Sequence, residues 1–455
     1  MIDIAIIGGG PAGQAAAQQT LGAGLSTTMI DEQARPGGQI LRQPPATFAV
    51  RDWMGGRLYR PLRRLLARTE ADERLDWRGG TSVVGIERME DHFRLTLSGT
   101  HRGGLLARRV LIAAGCYDMP VAMPGWTLPG VMSAGAVQTM LKSQQAVAGQ
   151  PIVLLGSHPL LLVLATQILD AGAEVAAVLM PQTYGRMMRA ALPYLAGAMF
   201  TPSPLIATGA AMARLRRAGV PLMMGARPIG FTGDGRLAAV DYAWRGRTHR
   251  IAAQVAAVSY GFLPQSDLPR QIGAAVRWAR PAGGWETLCN EAMRSSVPGL
   301  YVAGETTGVA GADAAMAEGE IAGIAMALDA SAQPASDMTR AQARRARMQP
   351  FIDLLRAVAD PGDVWPSATP DTLLCRCEDI SVAQVDATIA RLSPMADASA
   401  IKHRCRIGMG LCQGRSCEHA LVRRIADARG CDPDAVAPFR PRFPARPLPI
   451  DEIIG

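Results

Sequence analysis

The run Gly8-Gly9-Gly10-Pro11-Ala12-Gly13 limits what this chain can fold into more than any other feature. It follows the apolar stretch Ile2–Ile7 and precedes the Ala-rich segment Gln14–Gln19, so strand, glycine turn and helix follow in order. A second apolar stretch, Ser26–Ile30, ends at Asp31-Glu32, eighteen residues beyond Gly13. This pattern is the start of a doubly wound, dinucleotide-binding sheet. Gly8 permits the tight turn, Gly10 lets a pyrophosphate approach the backbone, and Gly13 lets helix and strand pack closely. The helix start at Pro11 and Ala12 offers free N–H groups and a positive dipole end to phosphates. Asp31 is placed to accept hydrogen bonds from ribose hydroxyls, and Glu32 takes that role if the strand ends later.

With 455 residues the chain has room for about three domains. Its 49% hydrophobic and 19% charged residues exclude a disordered or coiled-coil protein. The formal charge is +8, yet the cations are scattered and almost all are arginine; Lys142 and Lys402 are the two lysines. The densest runs, Arg57–Arg68 and Arg340–Arg347, carry no aromatic stacking platform, so no nucleic-acid partner is expected. No charged leader precedes the first strand. The most apolar stretch, Pro151–Leu169, is broken by Gly156-Ser157-His158-Pro159. Neither secretion nor a transmembrane segment is expected, and the expected location is the cytoplasm. Eight cysteines, six of them after residue 370, do not read as a disulfide framework.

Three further segments bear on the nucleotide. Arg35-Pro36-Gly37-Gly38-Gln39-Ile40 follows the acidic pair, Val110–Gly115 is a strand ending in a small-residue turn at Ala114-Gly115, and Ser296–Glu305 ends in Ala303-Gly304-Glu305. Together they resemble the two-dinucleotide-domain flavoproteins, relatives of thioredoxin and glutathione reductases. The resemblance implies FAD on Gly8, Gly10, Pro11, Ala12, Gly13, Asp31, Glu32, Gly38, Gln39, Ala114, Gly115, Gly304 and Glu305. The family's last strand usually brings Asp to the flavin ribityl chain; here Glu305 holds that place, one methylene longer. The family also inserts a second, NAD(P)H-binding unit. Here Gly156-Ser157-His158-Pro159-Leu160-Leu161 occupies its turn, with His158 and Leu161 at two glycine places, and Met180 where an acid or arginine belongs. The fold is expected to survive and the NAD(P) site is not. Cys-x-x-Cys is missing from this unit, which excludes a disulfide relay. Cys116 reads as a buried structural cysteine beside the Ala114-Gly115 turn.

The tail holds Cys375-Arg376-Cys377, then thirty-four residues, then Cys412-Gln413-Gly414-Arg415-Ser416-Cys417. Four thiolates in two close pairs suit either a [2Fe–2S] cluster or tetrahedral zinc. Flanking glycines favour the cluster, because bare N–H groups can donate to sulfide. The segment resembles the small helical [2Fe–2S] domain of the bacterioferritin-associated-ferredoxin type, which implies Cys375, Cys377, Cys412 and Cys417 as ligands. Cys405 and Cys431 fall outside the pattern.

The expected fold class is therefore α/β: two Rossmann-like domains of the thioredoxin-reductase type plus the small helical iron–sulfur domain. The FAD domain is expected at 1–120 and 285–330, the inserted domain at 121–284, a linker and helix at 331–370, and the iron–sulfur domain with its tail at 371–455. The whole chain resembles the α (A) subunits of heteromeric FAD-dependent dehydrogenases for proline, hydroxyproline and opines, and of hydrogen cyanide synthases. Trp126–Met132 and Ser259–Pro264 carry that likeness. It implies an electron-transferring subunit whose β partner, related to D-amino-acid oxidases, oxidises the substrate on its own flavin. It further implies a small third subunit, FMN at a subunit interface, a quinone or carrier as acceptor, and peripheral membrane association through the complex. No catalytic acid, base or nucleophile stands out in this chain. Two other readings remain open here: a self-sufficient NAD(P)H-dependent flavin reductase, and a scaffold holding only an adenine nucleotide.

Overall fold

The computed structural model describes every residue except 49, 51–55, 57, 58, 200, 201, 394, 395 and 455. Arg57 of the first arginine run thus lies outside the described residues. The first sheet has seven strands. Asp76–Arg78, Thr27–Ile30, Ile2–Ile7 and Gly103–Ile112 run parallel in that order, and Leu300–Val302 pairs parallel with the far end of Gly103–Ile112. Phe93–Gly99 and Thr81–Arg88 extend the other end antiparallel. The parallel strands are covered on both faces, which is why Ile4–Ile7 and Val110–Ile112 are uninterrupted apolar runs buried throughout. Helices Pro11–Gly22 and Ala312–Asp329 cover one face through Ala12, Ala16, Ala322 and Ala325.

The second sheet is wholly parallel, in the order Leu222–Met224, Val175–Met180, Ile152–Leu155, Val255–Val258 and Val131–Ser133. The chain enters and leaves this unit through a two-stranded pair, Cys116–Asp118 antiparallel to Phe262–Pro264. Its return therefore falls near residue 262, earlier than the expected boundary at 284. The cause is packing: Leu268, Ile272 and Ala274 already belong to the apolar core of the first sheet.

A long helix, Met338–Ala359, follows the expected linker. The tail then folds around helices Val382–Arg391, Ala398–Cys405 and Glu418–Arg429. Ser381 caps the first of these in a reciprocal box with Gln384, as its sequence suggests. The core of the tail joins Leu374, Val385, Ile401, Leu421 and Ile425 to Trp278 and Trp285, so the tail is packed onto the remainder of the chain. No described helix is long and apolar enough to cross a membrane.

Candidate nucleotide site and cysteine module

The first glycine turn is tight because three pieces of backbone meet there. Gly8 has φ of 112°, and a Cβ on it would stand 2.2 Å from the Ala113 carbonyl oxygen. A Cβ on Gly13 would stand 1.9 Å from the Gly8 oxygen. Gly10 is different: its nearest foreign neighbour, Gly38 Cα, would be 3.7 Å from an added Cβ, so its bare backbone faces open space. No side chain caps the helix that starts at Pro11. Its free N–H groups are left for an anion. Asp31 braces the turn, accepting from Gly9 N at 2.6 Å and Gln33 N at 2.7 Å. Burial pushes the Asp31 carboxyl above its ordinary range, which these two donors offset in part.

One cavity of about 920 Å³ runs from this turn to Glu305. Of the thirteen nucleotide residues expected from sequence, every one except Gly13 lines it; Gly13 lies beneath the turn as a packing residue. The cavity falls in the size range of cofactor sites. At its far end Cys116 donates to Glu305 Oε2 at 2.7 Å, and the Gly311 N–H also reaches that carboxylate. Burial pushes both the Cys116 thiol and the Glu305 carboxyl up. Cys116 is thus buried, as expected, and also lines the cavity.

Sequence reasoning missed the opposite wall. Lys142 Nζ donates to the Gln39 carbonyl at 2.8 Å and to Gln138 Oε1 at 2.9 Å. Burial, with Arg42 nearby, lowers Lys142 to about 8. Asp118 accepts from Ser133 Oγ at 2.7 Å and from Gly135 N at 3.2 Å. Lys142 and Gln138 come from the helix Ala134–Ser143, Ser133 from the strand before it and Asp118 from Cys116–Asp118, all far in sequence from the glycine turn. The one available signal was that Lys142 is one of only two lysines.

The second turn repeats the first in backbone and differs in filling. Gly156 has φ of 136°, and a Cβ would stand 1.9 Å from the Ser259 oxygen, which parallels Gly8 and Ala113. Here, however, His158 Nδ1 accepts from Leu160 N at 3.2 Å, while the ring packs edge-on against Phe262. Leu161 is fully buried in the core behind the turn. Gln182, just past the strand end at Met180, donates to Ser157 O at 2.9 Å and to Val358 O at 3.1 Å. The last turn of Met338–Ala359 therefore lies against this crevice, and Tyr260 stacks on Trp365 beyond it. At this turn a side chain of the protein takes up a helix N–H, whereas no side chain caps the first helix.

In the tail, Cys375 and Cys417 are buried, Cys412 is half-buried and Cys377 is exposed. Cys417 hydrogen-bonds to Cys375, and Cys412 to Cys377. That bond from Cys417, helped by the backbone N–H groups of Gly408, Glu378 and Cys377, holds the Cys375 sulfur well below the usual thiol range, at about 5. Among the described residues no group of three or more His, Cys, Asp or Glu side chains forms a ready metal site. The thiols meet as two pairs. Four thiols in two pairs, with backbone N–H groups aimed at Cys375 and Cys377, are a donor set that suits an iron–sulfur cluster or zinc.

This module is fixed to the cavity wall by buried charges. Arg270 pairs with Glu418 at 2.7 Å and Asp267 at 3.1 Å; Arg415, between Cys412 and Cys417, pairs with Asp267 at 2.7 Å. Arg415 and Asp267 both line the nucleotide cavity.

The sequence profile of the pyridine nucleotide-disulphide oxidoreductases matches residues 2–319. The chain belongs to this family. Within it, the chain is 31% identical to the opine oxidase A subunit of Rhizobium meliloti, over 99% of this chain and 87% of that one. It is 32% identical to the HcnB subunit of hydrogen cyanide synthase from Pseudomonas aeruginosa, over 98% and 97% respectively. The crystal structure of L-proline dehydrogenase from P. horikoshii shares the fold, with a TM-score of 0.73, 18% identity and coverage of 99% of this chain and 79% of that chain. This oxidoreductase is thus α/β in class, with the sheet arrangement the family requires.

Two outcomes follow for this family member. Gly10→Val should fold, because an added Cβ makes only an ordinary 3.7 Å contact with Gly38 Cα, yet nucleotide released on denaturation falls several-fold. Asp31→Ala lowers it as well, and unchanged release in both variants contradicts the site. The second concerns His158, which burial lowers from 6.5 to about 4. Below pH 6.5 the unfolded imidazole takes up a proton that the folded one refuses. Stability is therefore lost as pH falls through that window, by about 2 kcal/mol between pH 7 and 5. Urea unfolding at both pH values shows this share disappearing in His158→Asn; an unchanged slope contradicts it.

Proposed function

We propose that this chain is the nucleotide- and iron–sulfur-carrying subunit of a heteromeric dehydrogenase for an amino acid or opine, with substrate oxidised on a partner subunit. The observation that carries the reading is the contrast between the two turns: bare Gly10 in the first, and in the second His158, whose ring accepts the Leu160 N–H. That contrast supports a reading in which a partner subunit, rather than a reduced nicotinamide, supplies the electrons. The relatives, the opine oxidase A subunit and the HcnB subunit of hydrogen cyanide synthase, support a subunit role by their names. The proposed partner is a β subunit of the D-amino-acid-oxidase type, with a small third subunit, FMN at an interface, and a quinone or carrier as acceptor.

Residues that would hold FAD are the N–H groups at Ala12 and Gly13, the Asp31 carboxylate, the Gly38-Gln39 and Ala114-Gly115 backbones, and Glu305. Cys375, Cys377, Cys412 and Cys417 would hold a [2Fe–2S] cluster. When bound, a flavin supplies exchange of two electrons and a cluster exchange of one. The chain's own residues position and shield. Cys116 aims the Glu305 carboxylate, and Lys142 ties the Gly38-Gln39 loop to the second unit. Leu62 and Ile40 help keep water from the cavity.

Protein prepared without oxygen should contain about two irons and two acid-labile sulfides per chain. Changing any one of the four cysteines to Ser removes the iron and the cluster's share of the visible absorption and leaves the flavin's, whereas Cys405→Ser and Cys431→Ser leave both intact. Stoichiometric zinc with no iron would overturn the iron–sulfur assignment and leave a structural module.

A further inference from the structure

We infer that residues 439–446 form a strap over the adenosine end of the cavity and that Arg446 contacts the bound nucleotide; this rests on the nucleotide reading above. The segment leaves the cysteine module and crosses back to the first sheet. Phe443 packs on Gly85, where an added Cβ would stand 2.5 Å from its ring. Ala445 N donates to the Val84 carbonyl at 2.7 Å, and Arg415 Nη2 donates to the Ala445 carbonyl at 3.2 Å. Both backbone groups of Ala445 are therefore used, one by the sheet and one by the loop between Cys412 and Cys417. Arg446 pairs with Glu32, and Arg102 with Asp451 at 3.1 Å anchors the chain beyond.

The placement says which half of a nucleotide the strap meets. Ala445 and Arg446 line the same cavity as Asp31, Gln33 and Thr81–Val83. Asp31 is the expected ribose acceptor, and Glu32, Gln33 and Arg446 line the cavity beyond it, where a base would lie. A guanidinium is planar, weakly hydrated and stacks on aromatic rings. Glu32 orients Arg446 and cancels its charge, which suits a neutral base better than a further phosphate. Glu32 is thereby a holder of Arg446, and the ribose role stays with Asp31. Glu305, Cys116 and Gln138 bound the other end, so the strap touches the adenosine half alone.

The test uses the full chain, stripped of nucleotide and titrated with ADP and with FAD. Arg446→Ala should weaken both ligands about tenfold, the effect of one good contact, and Phe443→Ala/Arg446→Ala should weaken them further. The unfolding midpoint of the nucleotide-free protein and its iron content should match the wild type. ADP affinity equal in all three proteins overturns the strap. So does a loss that appears only together with a lowered midpoint, since that reports general loosening. A wild-type chain that binds neither ADP nor FAD overturns the nucleotide reading itself, and the strap with it.

Discussion

A backbone crossing organises both halves of this protein. At Gly8 and again at Gly156 the chain turns so close to a neighbouring strand end, Ala113 or Ser259, that any side chain would collide with a carbonyl oxygen. The crossing brings a helix N-terminus to the edge of each parallel sheet, where phosphates bind in such folds. The crossing is the same twice. Beyond it the turns differ: Gly10 leaves the first bare, while His158 stands in the second and the helix there starts one position later, at Leu160. A neutral imidazole accepting the Leu160 N–H does for the protein the work that a phosphate oxygen would do for a cofactor.

Buried charge then joins the tail to that open edge. Asp267, Arg270, Arg415 and Glu418 form one network between the cavity wall and the cysteine loop. Burying ions costs much of what their attraction returns, so such a network fixes register more than it adds stability. Its effect is that the Cys412–Cys417 loop cannot shift without moving Asp267 at the cavity or Ala445 in the strap. Cavity wall and cysteine module are thus joined by direct side-chain bonds.

Much of this was legible in the sequence, for a local reason. The roles of Gly8, Gly13 and Asp31 depend on turn chemistry and strand ends within thirty residues, and both the sheet and the cavity follow from them. The second glycine turn was equally readable, because Ile152–Leu155, Gly156 and the apolar helix that follows repeat the local order of the first. Lys142, Asp118, Arg415 and Arg446 were not readable as cavity residues. Each arrives from a distant element, and nothing in its neighbours announces the destination. Glu32 was left open as a ribose ligand since its pairing with Arg446 spans more than four hundred residues. The return at Phe262–Pro264 was hidden because a three-residue strand carries too little periodicity to be seen.

The central claim is that electrons do not reach this chain from a nicotinamide. Rapid mixing of the flavin-loaded protein with NADH, and separately with NADPH, tests it most directly. The account predicts that the flavin absorption stays unbleached over many seconds with either one. Bleaching at an ordinary enzyme turnover rate, on the order of 10 s⁻¹, would contradict it and make the second turn a working site.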